Sequence, residues 1–172
     1  MSISVDKKSF IQSYDSGNAQ VIWDELPYET ATPTSATLAL KQEDKPFFLL
    51  ESSEFGPSKG RYSIIGMAVD LIWRFDGEKV VIEEDGKDPV SLDKTSCLDS
   101  FRSIVEASQF DLPSILPDMA SGLIGYMSYD MVKLMEKLPD YKLKDDIKIP
   151  DSIFIRPKII IVFDKAKQTN DK

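Results

Sequence analysis

From Phe47 to Gly66 the chain reads FFLLESSEFGPSKGRYSIIG, and the rest is arranged around this stretch. Phe47, Phe48, Leu49 and Leu50 form an apolar run with the length and composition of a buried strand. Glu51, Ser52 and Ser53 follow at the strand's end. A loop with Gly56, Pro57 and Gly60 then leads through Arg61 into a second apolar run, Tyr62 to Ile65. Polar groups at a strand end, facing a glycine-rich return, are a common place for side chains and backbone to hold a small ligand together. The plainer alternative is that Glu51 and the serines end a strand while Gly56 and Gly60 supply turn geometry.

On the C-terminal side, residues 62–75 and 79–84 read as a hairpin, because Asp76-Gly77 sits between two β-rich runs. Glu83, Glu84, Asp85 and Gly86 read as a solvated turn. No apolar enclosure is visible there to make a catalytic carboxylate pair. Ser96 and Asp99 resemble a capping box opening a helix, with Leu98, Phe101, Ile104 and Val105 at helical spacing. Leu112 to Asp118 is a proline-bearing connector. A strand is expected over 121–129, with Gly122 and Gly125 allowing close backbone approach. Met131, Leu134, Met135 and Leu138 recur at helical spacing and predict a helix burying that face as core. A charged loop over 139–150 precedes a last strand, 152–163, interrupted at Pro157.

Towards the N-terminus, a short helix is expected over 4–16, with Phe10, Ile11 and Tyr14 on one face and Gly17 ending it. Residues 19–26 look like a strand containing Trp23. Thr32-Pro33 marks a helix start, giving a helix near 33–42, and the strand of the opening stretch spans 46–52. Hairpin-linked strands without βαβ alternation predict an α+β fold with mainly antiparallel sheet.

With 172 residues, 42% hydrophobic and 29% charged, the chain suits one domain, 1–172, with a sizeable core. Its formal net charge of −8 argues against nucleic acid or an anionic membrane as partner. No stretch has the length to span a bilayer, and no signal-peptide core opens the chain. The single cysteine, Cys97, excludes an internal disulfide and fits a reducing cytoplasm. The chain contains no histidine, which removes Ser-His-Asp and Cys-His catalysis and the commonest zinc ligand. A phosphate-loop reading of Gly56 to Ser63 fails, because the spacing is wrong and a strand, not a helix, follows.

Three segments in order carry a resemblance. LLES (Leu49 to Ser52) with GRYSIIG (Gly60 to Gly66), SGLIGYMSYD (Ser121 to Asp130) and PDSIFIRPKIIIVFD (Pro150 to Asp164) resemble the N-terminal region of anthranilate synthase component I. Lys165 stands where a histidine is common in the last segment. The resemblance implies two packed antiparallel sheets, a double-sheet sandwich flanked by helices, incomplete without a C-terminal chorismate-binding region. It implies conversion of chorismate and ammonia to anthranilate and pyruvate with Mg2+ in the full-length enzyme, ammonia coming from a glutamine amidotransferase subunit. The chorismate and magnesium residues belong to the later region, so this chain supplies no catalytic residue and no cofactor site, and alone it is expected to be inactive.

The resemblance also implies a feedback site for L-tryptophan. Its expected ligand-binding residues here are Leu50, Glu51, Ser52, Arg61, Ser63 and Ile64. Glu51 suits the ammonium, Ser52 with loop amides and Arg61 suits the carboxylate, and Leu50 and Ile64 suit the indole. A Pro-Tyr-Met segment of that site lies in the later region, leaving half a site. Aminodeoxychorismate synthase component I shares the fold and a similar opening pattern, though the GRYSIIG and DLIWR wording favours the anthranilate enzyme. A stand-alone, non-catalytic ligand-binding module is the other alternative. Finally, Lys158 to Phe163 is expected to be an incompletely paired strand and so an invitation to self-association.

Overall fold

The computed structural model describes residues 6–27, 31–51, 60–139 and 147–168. Its helices are α1 (Lys7–Asp15), α2 (Pro33–Leu40), α3 (Cys97–Ala107) and a last turn, α4 (Lys165–Gln168). Its strands are β1 (Phe48–Glu51), β2 (Tyr62–Phe75), β3 (Lys79–Glu84), β4 (Val90–Asp93), β5 (Ile124–Met127) and β6 (Ser152–Asp164). All six strands join one antiparallel sheet in the order β4-β3-β2-β6-β5, with β1 also on β2.

The long strands β2 and β6 form the axis. β6 follows one edge of β2 from Tyr62↔Asp164 to Phe75↔Ser152. The other edge of β2 is shared, β1 taking Ser63 to Gly66 and β3 taking Leu71 to Phe75. Between these two ends the register shifts, Val69 facing Pro157 and Leu71 facing Arg156. Ala68 takes a left-handed φ of 54° next to the shift, the kind of local distortion a β-bulge requires. Pro157 does not interrupt β6, because the proline falls at that irregularity, where its missing N–H breaks no regular ladder.

The core lies at the β3 end. Leu71, Trp73 and Phe75 of β2 are buried with Val80, Cys97, Ile104 and Met131. α3 closes over them because Leu98, Phe101 and Ile104 fall on one helical stripe. Trp73, Phe101 and Phe154 pack tilted, with ring centroids 4.5–6.4 Å apart. The Trp73 indole N–H donates to Ser100 Oγ at 3.1 Å, so the large ring is buried without an orphaned donor. Burial pushes the Cys97 thiol up to about 11, leaving it a small core hydrophobe.

The hairpin 62–75/79–84 and the helix at Thr32-Pro33 form as the residues predict. Thr32 and Ser35 bond reciprocally in a capping box. Other expectations are corrected. Residues 18–27 are irregular, not a strand. Gln20 Nε2 donates to the Phe10 carbonyl at 3.0 Å, tying this stretch back to α1. α1 is capped by Asp6, whose carboxylate accepts from Ser9 N–H, but Ile11 and Tyr14 stay exposed, Tyr14 by 71%. Ser96 stands at the start of α3 without a side-chain cap bond; Asp99 pairs with Arg102 instead.

The expected strand 121–129 narrows to β5, and the expected helix over 131–138 is a 3-10 segment, Tyr129–Leu134. Ser128 N–H is held by the Asp151 carbonyl and Met131 N–H by Ser128, which commits the chain to the tighter turn. Pro139 then disfavours helix at Leu138. Only Met131 of the Met-rich stripe is buried; Met135 and Leu138 are exposed. Glu83 and Glu84 end β3 and do not form a free turn. Glu83 pairs with Arg74, and Glu84 with Lys87 and Arg156.

Candidate functional site

β1 brings the LLES segment beside the start of β2. Their register sets Phe48 opposite Gly66, Leu49 opposite Ile65, Leu50 opposite Ile64 and Glu51 opposite Ser63. Directly opposed residues share a face, and successive residues alternate faces. Glu51 and Ser63 therefore sit on one face with Leu49 and Ile65, and Phe163 and Ile161 extend this row across β6. Leu50 and Ile64 sit on the other, with Phe48. Glycine at 66 makes this arrangement possible, because a Cβ there would collide with the Phe48 ring.

On the first face, Ser63 is fully buried and its hydroxyl donates to Glu51 Oε1 at a long 3.5 Å. Glu51 itself is exposed. Among the described residues its carboxylate accepts only this one long bond. On the second face Ile64 is buried, while Leu50 is 48% exposed, an apolar side chain placed to be covered. Arg61 is otherwise engaged. Its Nε and Nη2 donate to the two carboxylate oxygens of Asp164 at 2.7 and 2.6 Å, and its guanidinium lies 4.8 Å from the centre of the Tyr62 ring. The Asp164 bond raises the Arg61 pKa further. Ser52 lies outside the described residues, as do Ser53, Gly56 and Pro57 of the loop.

The five expected site residues that are described, Leu50, Glu51, Arg61, Ser63 and Ile64, are thus not one cluster. The structure juxtaposes Glu51 with Ser63, and Leu50 with Ile64, on opposite faces of the sheet.

A larger concavity, which sequence reasoning missed, is an open cleft of about 1720 Å³ between residues 19–27, the 110–122 connector and β6. Tyr62, Ile160 and Val162 floor it, and Ile22 and Trp23 wall it. Leu50, Glu51, Ser63 and Ile64 do not line it. At its margin Arg156 donates to Asp70 Oδ1 at 2.9 Å and Oδ2 at 3.2 Å, to Glu84 at 3.3 Å and to Ser108 Oγ at 3.1 Å. This network raises the Arg156 pKa, the Asp70 bond first. It pins the bulge of β2 to the C-terminal end of α3. The sequence held no signal for it, since Asp70 and Arg156 meet only through the β2–β6 register.

Among the described residues no group of three or more His, Cys, Asp or Glu side chains is placed to hold a metal ion. The Mg2+ that the resemblance implies finds no ligand set among the described residues. No helix among them is long and apolar enough to cross a membrane.

An antiparallel sheet flanked by helices, with polar residues at the end of its β1 strand, defines an α+β module of the kind seen in the crystal structure of anthranilate synthase component I from Streptococcus pneumoniae TIGR4. That structure matches 84% of this chain with a TM-score of 0.51 at 24% identity, using 30% of its own length. The chain is 33% identical to anthranilate synthase component 1 of Cereibacter sphaeroides over 93% of its length, and 33% identical to that of Thermus thermophilus over 79%. It is 35% identical to the Pseudomonas putida protein over 76%. No family model matches the sequence. The chain is a homologue of anthranilate synthase component I, corresponding to its N-terminal region. It spans only 32%, 28% and 27% of those three relatives.

Proposed function

We propose that this chain is the inhibitor-sensing N-terminal portion of an anthranilate synthase large subunit. Its β1–β2 edge supplies one side of a tryptophan feedback site, and a later region of the same subunit supplies the other. The observation that carries the reading is the homology along nearly the whole chain to proteins all three times its length. In this reading Glu51 receives the ammonium, Ser52 and adjacent amides receive the carboxylate, and the Leu50–Ile64 face covers the indole. Arg61, bidentate to Asp164, orders the return into β2 and does not contact the ligand directly.

The reaction of the whole subunit, chorismate and ammonia to anthranilate and pyruvate with Mg2+, belongs to the later region, with ammonia supplied by a glutamine amidotransferase subunit in the cytoplasm. This chain alone has no part in the bond-breaking. The second sheet of the sandwich is contributed at least in part by that region, against the apolar groups left uncovered on the six-stranded sheet. The relatives are named as anthranilate synthases, which favours this branch over the aminodeoxychorismate one.

The test is an inhibition curve on a large subunit carrying this region, wild type against Ser52→Phe. The change removes a donor to a charged carboxylate and fills the ligand's space, a loss of about 1.5–3 kcal/mol or more. Tryptophan inhibition weakens roughly tenfold or more, while uninhibited turnover survives. An unchanged half-inhibitory concentration removes Ser52 from the site.

A further inference from the structure

Among the described strands β1 pairs only with β2, through four opposed residue pairs. Three of these pairs carry little register information. Leu49 with Ile65 and Leu50 with Ile64 are apolar pairs, and the run from Ile64 to Val69 offers other apolar partners nearby. Glu51 and Ser63 share a single long bond of 3.5 Å. The fourth pair is different. Gly66 is the one glycine of β2, and the Phe48 ring lies over it, in the space a Cβ would take. Gly66 is buried and Phe48 half-buried. A ring laid over a cross-strand glycine is a device that pins strand pairing.

Each neighbouring register sets the ring against a side chain instead. A slip of one residue puts Phe48 opposite Ile65 or Met67. It also moves Leu50 and Glu51 to each other's faces, because side chains alternate along a strand. A slip of two puts Phe48 opposite Ile64 or Ala68 and takes Glu51 away from Ser63. We propose that Phe48 and Gly66 are the register lock of β1, and that through it they set the sensitivity of the inhibitor site. The inference rests on the feedback-site reading above. Neither residue needs to touch the ligand, so both are positioning residues. The lock decides which face Leu50 and Glu51 present, and at what height along β2. The lever is short, since Glu51 lies three residues beyond Phe48, about 10 Å along the strand.

The experiment is a double-mutant cycle in a large subunit carrying this region, read as tryptophan inhibition curves, uninhibited turnover and melting temperature. Gly66→Ala puts a methyl group where the ring lies, and Phe48→Leu replaces the ring by a shorter side chain. Each change alone is expected to weaken inhibition about fivefold or more, with turnover unchanged. In the double variant the shorter side chain clears the added methyl group, and inhibition returns towards the wild-type curve. A merely structural role would lower the melting temperature and leave the inhibition curve in place.

Ser52→Phe in the same assay separates this proposal from the reading beneath it. Resistance in Ser52→Phe with wild-type inhibition in both Gly66→Ala and Phe48→Leu overturns the lock and leaves the feedback site standing. Wild-type inhibition in all three overturns both. Losses that simply add in the double variant overturn the lock, because the two positions then act independently. Should Gly66→Ala fail to fold, Phe48→Leu carries the test. Weakened inhibition at unchanged turnover supports the lock, and an unchanged curve overturns it.

Discussion

The two ends of the β2–β6 ladder are built from the same kind of apolar residues and end in different states. At the Leu71–Phe75 end the sheet has β3 and β4 on one side, β5 on the other and α3 across a face. Its aromatic cluster is closed. At the Tyr62–Met67 end, β1 contributes four residues and no described strand lies along the second edge of β6 from Arg156 to Val162; Ile64, Ile65 and Phe163 are buried there, while Leu50 and Ile159 are about half exposed at 48% and 49%. The open end sets the half-exposed Leu50 and Ile159 beside that buried group, and it carries Leu49 to Glu51 of the LLES segment. The bulge at Ala68 and the Arg156 network lie between the two ends.

The comparison is broken most directly at Trp73. Trp73→Ala removes the largest side chain of the closed end together with its packing on Phe101 and Phe154. A buried aromatic truncated in this way costs about 3–5 kcal/mol. Denaturant unfolding should show that loss. Loss of less than about 1 kcal/mol would mean the cluster is not what holds the sheet.

Next in size is Gly125→Ala, where a Cβ would overlap the carbonyl oxygen of Ile153 and the backbone of Phe154. Backbone on a neighbouring strand cannot swing aside, so β5 must shift, at about 1–3 kcal/mol. Gly66→Ala meets only the Phe48 ring, which can turn away into the open end. A smaller loss at Gly66 than at Gly125 sharpens the contrast, and equal losses would erase it.

The β2–β3 turn tests whether the closed end depends on pH. The Asp76 carboxylate accepts from the Lys79 N–H at 2.7 Å and the Glu78 N–H at 3.0 Å, and these bonds lower its pKa, Lys79 first. The folded state therefore takes up the proton less readily than the unfolded chain. The stabilisation is complete above the unfolded carboxyl pKa, about 4, and is lost as pH falls through the lower folded value. Asp76→Ala should cost about 1 kcal/mol at neutral pH. It should also flatten the acid limb of the stability–pH curve, and an acid limb identical to wild type would assign that limb elsewhere.

How much of this was legible in the residues differs between the two ends. The hairpin was readable because its runs are long and Asp76-Gly77 marks the turn, and α2 because Thr32-Pro33 names its own cap. β4 was not, since Val90-Ser-Leu-Asp93 is short and forms only because β3 offers an edge. Residues 19–26 had strand-like composition but stand in none of the described strands, which composition does not report. The Met131–Leu138 stripe misled because spacing says which residues could share a face, not whether anything covers it. At the site, the pairing of Glu51 with Ser63 depended on register and was hidden. The division of Leu50 from Glu51 was not hidden, because neighbours on a strand point opposite ways.

The smallest effect expected is at that pair. Ser63→Ala deletes the hydroxyl that donates to Glu51 Oε1 at 3.5 Å. The bond is at the limit of useful length and Glu51 faces water, so its carboxylate is re-solvated when the donor goes. Unfolding free energy should fall by about 0.5–1 kcal/mol, close to what a surface substitution costs. Glu51→Gln should be as mild for stability, since among the described residues no cation pairs with its carboxylate. The two changes should separate in their effect on ligand. In a large subunit carrying this region, Glu51→Gln weakens tryptophan inhibition by about the worth of one charged hydrogen bond, 1.5–3 kcal/mol, while Ser63→Ala changes it little. That pattern would make the open end a recognition surface whose polar groups add little to folding. The reverse pattern, a large stability loss at both positions with inhibition unmoved, would make Glu51 and Ser63 a strand-end lock and return the LLES segment to the scaffold.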